Sequence, residues 1–238
     1  EIVIFTDVDA FWKHDALRCL IKYFADPNIG AVTTCIMILN ELDRLEASYR
    51  DYYNVIRVGE SKVHSTPVHN GALVAFRRKL LDELGSLPTY TGNNDSTPAS
   101  LIAFMGYRAI QIDDVTVKEP VRKKQWRRKI RRAKHLILHF LHTKNYAKKI
   151  DLYKKSAFDK IWEIEFYIHI INPWLIVAAI ILTLISIMLD SLVSILFLVL
   201  GSLFLLVVKS YRIWLLQQFY LIMAQIHGLR AKELIWQK

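Results

Sequence analysis

The sequence predicts an α/β domain with a mostly parallel sheet, followed by helices that cross a membrane. Two observations lead to this fold class. Segments of strand character alternate with segments of helix character over residues 1–113, which is the pattern of layered α/β folds. Two uncharged apolar runs then follow at 171–189 and 191–208, and each approaches the roughly 20 residues that cross a bilayer.

The predicted elements of the α/β part follow one another with short connections. Apolar and β-branched runs indicate strands, and apolar positions at helical spacing indicate helices. In order, they are 1–5 (strand), 15–26 (helix), 31–39 (strand), 43–62 (helix), 70–85 (strand, then helix) and 94–113 (helix, then strand). Gly85 and Gly106 are expected to end the last two helices.

The positive charge of the chain is concentrated just before the apolar runs. The 238 residues carry a net charge of +10, and residues 121–142 contribute a dense basic run that becomes apolar at helical spacing. Such a segment binds either nucleic acid, through phosphates, or an anionic membrane surface. The neighbouring apolar runs favour the membrane, so residues 121–165 are predicted to be a basic amphipathic interfacial segment. The basic excess places the preceding part, 1–120, in the cytoplasm.

A third apolar stretch at 211–229 completes the predicted membrane region, 166–229. Gln218 and Gln225 are seven residues apart and therefore share a helix face. This pattern suits either a third span with a polar seam or a helix that lies in the membrane interface. The remaining residues, 230–238, are predicted to be a tail.

Two aspartates follow the first predicted strand. Asp7 and Asp9 are separated by one residue, so in an extended segment their side chains point to one face. In open α/β sheets, ligands bind beyond the carboxyl ends of the strands. Two carboxylates there can hold one Mg²⁺ or Mn²⁺, since both ions prefer oxygen ligands and keep substrate phosphates as further ligands. The alternative is an acidic surface turn.

A second acidic position lies in the segment NNDST, at Asp95. One interpretation is structural, because Asp95 or Ser96 can cap a helix that has Pro98 in its first turn. The other is catalytic, because a carboxylate at a helix start near a strand-end site can take a proton from a hydroxyl.

The order of these segments resembles a known enzyme family. TDVDA, NGALVAFRR, NNDST and QWRRK precede the apolar helices. This arrangement is similar to that of membrane-bound inverting nucleotide-sugar glycosyltransferases of family 2, which include cellulose, chitin and hyaluronan synthases. The resemblance covers nearly the whole chain. It implies that residues 1–120 are part of a GT-A catalytic domain, a Rossmann-like fold.

The resemblance also implies roles for individual residues. Asp95 would be the catalytic base, and Asp7 and Asp9 would hold Mg²⁺ or Mn²⁺. The residues implied to bind the donor diphosphate are Asp7, Asp9, Gln125, Arg127 and Arg128, and those implied to bind the acceptor are His69, Asn70, Gly71 and Arg77. Trp126 and Lys129 depart from the Q-(Q/R)-x-R-W motif of processive synthases, so polymerisation is not implied.

The implied function is transfer of a sugar, with inversion, at the cytoplasmic face of the cell membrane. The expected donor is a UDP-sugar, and the expected partners are a saccharide or lipid-linked acceptor and membrane lipids, without nucleic acid. Two alternatives stay open: a polyprenyl-phosphate glycosyltransferase that makes a single-sugar lipid, and a non-catalytic membrane-anchored scaffold. In the family, a nucleotide-binding half precedes the D-x-D strand, so the chain by itself is expected to be inactive.

Overall fold

The chain forms two compact units. The computed structural model describes residues 1–39, 44–85, 93–120, 125–154, 156–189 and 191–230. The first unit comprises 1–125 and 138–165, and the second comprises 126–137 and the chain from 166 onward. The residues of the predicted interfacial segment 121–165 are divided between the two units, and their location at a membrane interface stays a prediction. The predicted tail lies outside the described residues from 231 onward.

A five-stranded sheet organises the first unit. Its strands lie in the order β1-β4-β3-β5-β2. Their bounds are Ile2–Thr6 (β1), Phe11–Trp12 (β2), Ile29–Ile38 (β3), Leu73–Arg77 (β4) and Arg108–Glu119 (β5). Strand β2 was not predicted, because its two residues are too few to show the alternation of apolar and polar residues that indicates a strand.

The sheet is mixed, and the prediction of a mostly parallel sheet is wrong. Within the described residues, β3 and β5 pair in parallel, whereas β1–β4, β3–β4 and β2–β5 are antiparallel. A strand–helix–strand pattern does not fix the edge from which the next strand enters the sheet. Strand β4 begins beside the end of β1 and runs in the opposite direction, because Thr6, the last residue of β1, pairs with Leu73, the first residue of β4.

The four helices predicted within residues 1–113 lie within a few residues of their predicted positions. They are α1 (Ala16–Ile21, continued by a 3₁₀ turn at Lys22–Ala25), α2 (Arg44–Val63), α3 (Arg78–Leu84) and α4 (Ser96–Phe104). The first unit also contains the second half of α5 (Gln125–Lys149) and, up to Glu165, the helix α6 (Phe158–Phe166), which was not predicted. Gly85 and Gly106 follow α3 and α4 with positive φ, which confirms both predicted helix ends.

The core of the first unit lies between the sheet and these helices. Strand β3 is buried over its first eight residues. At Gly30 the helices come so close that a Cβ atom would lie 2.5 Å from Ile102 Cγ2 and 2.6 Å from Leu80 Cδ1. Trp162 of α6 is fully buried, and its ring packs against Phe104 of α4 at a centroid distance of 5.1 Å. These contacts hold α4, whose N-terminus belongs to the candidate site.

The second unit is helical. A π-helical segment at Tyr167–Ile171 leads into α7 (Asn172–Met188), which α8 (Leu192–Val207) and α9 (Lys209–Arg230) follow. Gln218 is buried and accepts a hydrogen bond from Asn172, and Gln225 accepts one from the Trp174 indole. Both glutamines of α9 therefore have polar partners within the helical unit, and the choice between a third span and an interfacial helix stays a prediction.

One helical stretch of the described residues is long and apolar enough to cross a membrane. Phe158–Met188 has a mean hydropathy of 2.4 in its most apolar window, and only 6% of that window is buried. Helices α8 and α9 meet the same criterion only together, and they are bent by 107° at their junction. At 1.5 Å per residue, the 16 residues of α8 span about 24 Å, which is less than the roughly 30 Å of a hydrocarbon core.

Candidate active site

The candidate site lies where β1 ends and β4 begins. The antiparallel register pairs Thr6 with Leu73, so Asp7 lies opposite the residues that precede β4. The Thr6 hydroxyl donates a hydrogen bond to the Ala72 carbonyl at 2.8 Å, which ties the two chain segments together beyond the ladder. The site therefore forms at the carboxyl end of β1, as the sequence predicted.

Two carboxylates converge on Gly71. A Cβ atom at this position would lie 3.3 Å from Asp95 Oδ2, and 3.8 and 3.9 Å from the two carboxylate oxygens of Asp7. Asp7 and Asp95 are 88 positions apart in the sequence, and the fold brings both within 4 Å of one point. Because glycine has no side chain, the space between the two carboxylates stays available to a ligand.

The structure shows the capping role of Asp95 and leaves one of its carboxylate oxygens facing the candidate site. It is the N-cap of α4, and its Oδ1 accepts a hydrogen bond from the Ser96 backbone N–H at 2.6 Å. Its Oδ2 is the oxygen that faces Gly71. The helix cap thus fixes the orientation of the carboxylate, and one oxygen is left for chemistry.

The surroundings of Asp95 make it a stronger base than an ordinary aspartate. Burial raises the pKa of the carboxyl to about 6, hydrogen bonds from Ser96 oppose this rise, and the negative charge of Asp7 adds to it. A carboxylate with this pKa is ionised at neutral pH and still accepts a proton readily.

The D-x-D segment is an exposed turn. The Ala10 backbone N–H donates to the Asp7 carbonyl at 3.2 Å, and Val8 between the two aspartates is fully exposed. Within the described part of the chain, no group of three or more His, Cys, Asp or Glu side chains is arranged to hold a metal ion. Asp7 and Asp9 offer only hard carboxylate oxygens, which fits an ion such as Mg²⁺ or Mn²⁺ that takes few ligands from the protein.

His69 is not an exposed contact residue. It is 3% exposed, and neither ring nitrogen has a hydrogen-bond partner among the described residues. Burial lowers the pKa of the imidazole to about 3, helped by the charges of Arg57 and His139, so the ring is neutral. Its backbone N–H and carbonyl both bond to the Ser96 hydroxyl, at 3.1 and 3.0 Å. His69 therefore fixes the segment before Gly71 against the start of α4.

Asn70 is held from the sheet side. Its amide group donates to the Thr34 carbonyl at 2.6 Å, and its backbone carbonyl accepts a hydrogen bond from the Thr33 hydroxyl at 3.2 Å. Its Oδ1 has no partner within the described residues. This oxygen belongs to the residue next to Gly71, and contact with the acceptor remains a prediction for both.

Arg77 requires a correction. It lies at the far end of β4, where it pairs with Ile2, whereas the site lies at the Thr6–Leu73 end. Its guanidinium donates hydrogen bonds to the carbonyls of Phe24, Asp26 and Ile29. These contacts brace the turn before β3, and the geometry does not support the predicted role of Arg77 in acceptor binding.

The predicted donor contacts of helix α5 remain predictions. Arg127 and Arg128 belong to the second unit, and the side chain of Gln125 lies outside the described part of the structure. The sequence interpretation missed two features of the first unit that bear on the site. Ser96 links the backbone of His69 to the Asp95 cap, and Phe11 lies beside Asp7 on the short strand β2.

Comparison with known proteins identifies the family of the chain. The model of glycosyl transferase family group 2 matches residues 2–210. The chain belongs to this family. The match includes Asp7, Gly71 and Asp95, so the convergence of carboxylates lies inside the family domain. No curated protein matched the sequence.

A solved structure shows a closely similar fold. It is a mannosyltransferase from Pyrobaculum calidifontis in complex with GDP-mannose and Mn²⁺, to which this chain is 40% identical with a TM-score of 0.80. The match covers 98% of this chain and 63% of that one. The glycosyltransferase fold predicted from the sequence is thereby supported over nearly all of the chain, which spans less than two thirds of the length of its neighbour.

Proposed function

We propose that this chain carries the catalytic part of a glycosyltransferase that moves a sugar from a nucleotide-sugar donor to a saccharide or lipid-linked acceptor, with inversion. The observation that carries the proposal is the convergence of Asp7 and Asp95 on Gly71. One carboxylate would serve the donor and the other the acceptor. Membership of family group 2 and the likeness to a mannosyltransferase support this reaction class.

Asp95 would act as the general base. An acceptor hydroxyl near Gly71 would give its proton to Asp95 Oδ2 while its oxygen bonds to the anomeric carbon of the donor sugar. The bond between that carbon and the diphosphate oxygen breaks at the same time, and the nucleoside diphosphate takes the electron pair. Attack from the face opposite the diphosphate inverts the anomeric configuration.

Asp7 and Asp9 would hold Mn²⁺ or Mg²⁺ beside the diphosphate. When bound, this ion supplies Lewis-acid stabilisation for the charge on the leaving group. The neighbouring structure contains Mn²⁺ and GDP-mannose. GDP-mannose is therefore the first donor to test, ahead of the UDP-sugars that the sequence suggested.

The apolar helices would anchor the enzyme in a membrane, with the catalytic part on the cytoplasmic side. Exposed leucine and isoleucine side chains cover α7, for example Leu182 at 66% and Ile180 at 53% exposure. Such a surface is unfavourable in water and suits lipid. A membrane location would also bring a lipid-linked acceptor close to the enzyme.

The test is release of nucleoside diphosphate by the purified protein, prepared together with the nucleotide-binding half that precedes the D-x-D strand in the family, and by its Asp95→Asn variant. The protein is assayed in detergent with Mn²⁺ or Mg²⁺, first with GDP-mannose and then with UDP-sugars, and with saccharide and polyprenyl-phosphate acceptors. We expect Asp95→Asn to lower the rate by about 100- to 10,000-fold, which is the usual contribution of a general base.

The choice of asparagine provides its own control. Asparagine caps helices as well as aspartate does, so the variant should keep α4 and its Tm. Equal release from both proteins would argue against the proposed base, and no release with any donor and acceptor would favour the scaffold alternative. A lipid that carries one sugar would identify the acceptor as a polyprenyl phosphate.

A further inference from the structure

An exposed aromatic ring lies beside Asp7, and the proposed mechanism does not use it. An open depression of about 380 Å³ is lined by Thr6, Asp7, Val8, Ala10, Phe11 and Trp12. Phe11 is 56% exposed and Val8 is fully exposed. The depression thus combines a carboxylate of the candidate site with an apolar surface.

The backbone holds Phe11 firmly in this position. The turn from Asp7 to Ala10 leads directly into β2, where Phe11 pairs with Lys118 and Trp12 pairs with Val117 of β5. Trp12 packs partly against the hydrophobic core, and this contact anchors the short strand. The ring of Phe11 is therefore fixed at the rim of the depression, although it contributes little to the core.

We propose that Phe11 is a stacking platform for the sugar ring of the donor, an inference that rests on the proposed function. The sugar of a nucleotide sugar is bonded directly to the diphosphate, which the function assigns to Asp7 and Asp9. Phe11 is two residues beyond Asp9, so their Cα atoms lie within about 7 Å of each other. A side chain this close to the aspartates that would hold the diphosphate is within reach of the groups bonded to the diphosphate, which are the sugar and the ribose.

The chemistry of the ring selects the sugar. A pyranose presents an apolar face of C–H groups, and the negative face of an aromatic ring attracts such groups. The volume of the depression is in the range of small-molecule sites, roughly 300–1,000 Å³. Phe11 would therefore position the transferred sugar and contribute to donor selection.

The experiment compares the affinities of GDP and GDP-mannose for wild type, Phe11→Leu and Phe11→Tyr, by calorimetry in detergent with Mn²⁺. Leucine keeps an apolar side chain without the ring, and tyrosine keeps the ring. We expect Phe11→Leu to weaken GDP-mannose binding about ten-fold and GDP binding less than two-fold, while Phe11→Tyr stays near wild type. Val55→Ala, at a position 74% exposed on α2, should change neither affinity.

Other results would overturn the inference. Equal weakening of GDP and GDP-mannose would show that the ring contacts the nucleotide, and unchanged affinities would show that another group covers Phe11. If wild type binds a UDP-sugar instead, the same comparison is made with that sugar and UDP. Failure of wild type to bind any nucleotide sugar would overturn the proposed function itself, and this result differs from a failure confined to the variants.

Discussion

The helix cap orients Asp95, and burial of the carboxyl determines how its proposed chemistry depends on pH. One oxygen is occupied by the Ser96 N–H, and the other faces Gly71 with a pKa that burial raises to about 6. A general base must be ionised, and the ionised fraction of Asp95 grows as the pH rises through this pKa. The site is therefore suited to work at and above neutral pH.

We expect kcat/KM for sugar transfer to fall as the pH drops below about 6. The fall should follow one ionisation, because a single carboxylate accepts the proton. A cation bound at Asp7 and Asp9 opposes protonation of the nearby carboxyl, so the midpoint with saturating Mn²⁺ should be lower than with limiting Mn²⁺. A profile that is flat between pH 5 and 7 would contradict the assignment of Asp95.

A second acidic group with an unusual pKa lies away from the site. Arg57 is buried between Glu60 and Glu165, with nitrogen–oxygen distances of 3.5 and 3.2 Å. The Thr66 hydroxyl donates to Glu60 at 2.6 Å. Burial raises the pKa of Glu60 to about 8; Arg57 opposes this rise, and Glu165 adds to it. Two buried carboxylates share one guanidinium, so Glu60 retains its proton at neutral pH.

This arrangement predicts a loss of stability in mild base. Folding raises the pKa of this carboxyl group, so the folded state holds its proton more tightly than the unfolded state does. The resulting contribution to the free energy of unfolding is complete below the pKa of the unfolded state, and it is lost as the pH rises through the folded-state pKa of about 8. The free energy of unfolding should fall from about pH 5, by at most about 1.4 kcal/mol per pH unit, and the last part of this fall should lie between pH 7 and 9. Glu60→Gln should remove this fall, as measured by denaturant unfolding at several pH values.

The control for this experiment is Asp82→Asn. Asp82 lies on α3 with a side chain that is 70% exposed, so its substitution should leave the pH dependence as in wild type. If Glu60→Gln keeps the fall between pH 7 and 9, another group is responsible for it.

Local sequence signals were enough to find the carboxylates but not the contacts around them. Asp7, Asp9 and Asp95 follow a strand or precede a helix, and such positions can be read from neighbouring residues. Arg57 and Glu165 are 108 positions apart, and only the packed fold shows that they meet. Arg77 was misassigned for the same reason, since its position in a motif does not reveal which end of β4 it occupies.

At the scale of elements, Trp162 is the largest of the buried side chains that hold helix α6 in the first unit. Trp162 is fully buried and packs on Phe104, Phe140 and Phe158, with ring centroids 4.9 to 5.9 Å apart. These rings come from α4, α5 and α6 itself. The residue therefore packs the helix that Asp95 caps against α5 and α6.

We expect Trp162→Ala to lower the stability by about 3–5 kcal/mol, because it leaves a large cavity among aromatic rings. For a protein of this size the change corresponds to a Tm lower by roughly 6–20 °C, measured by thermal unfolding in detergent. Trp126→Ala is the matched control, since Trp126 is 51% exposed on α5. Equal losses in the two variants would contradict the anchoring role of Trp162.

Most elements could be predicted from the sequence, whereas their pairing could not. Helices α2 and α4 and strands β1 and β3 have enough residues to show a period or an apolar run. Strand β2 is too short to show either, and the direction of β4 depends on the edge from which the chain enters. The mixed sheet is thus a property of connections, which local patterns do not encode.

At the scale of the whole molecule, the distribution of apolar surface predicts how the protein behaves in cells. Leu182 and Ile180 are among many exposed apolar side chains in a stretch of which only 6% is buried. We expect the protein to stay in the membrane pellet after washing with alkaline carbonate or 1 M salt, because a lipid-embedded helix does not depend on charge.

The salt wash distinguishes the two explanations for membrane attachment. Attachment through basic residues such as Arg127 and Arg131 would be screened and lost at high salt. Release of the protein into the supernatant would therefore contradict a membrane-spanning helix. The sequence could suggest this region because membrane spans depend on composition and length, which need no knowledge of the fold, and the number of spans stays a prediction.

The proposed catalytic role of Asp95, together with its role as the N-cap of α4, has a consequence for how copies of this gene can diverge. A gene copy under no selection for activity can replace the proposed base only with residues that the fold tolerates. At position 95 most substitutions would also remove the N-cap of α4. Asparagine and serine replace the cap but not the base. Inactive descendants that still fold should therefore carry one of these two residues at position 95.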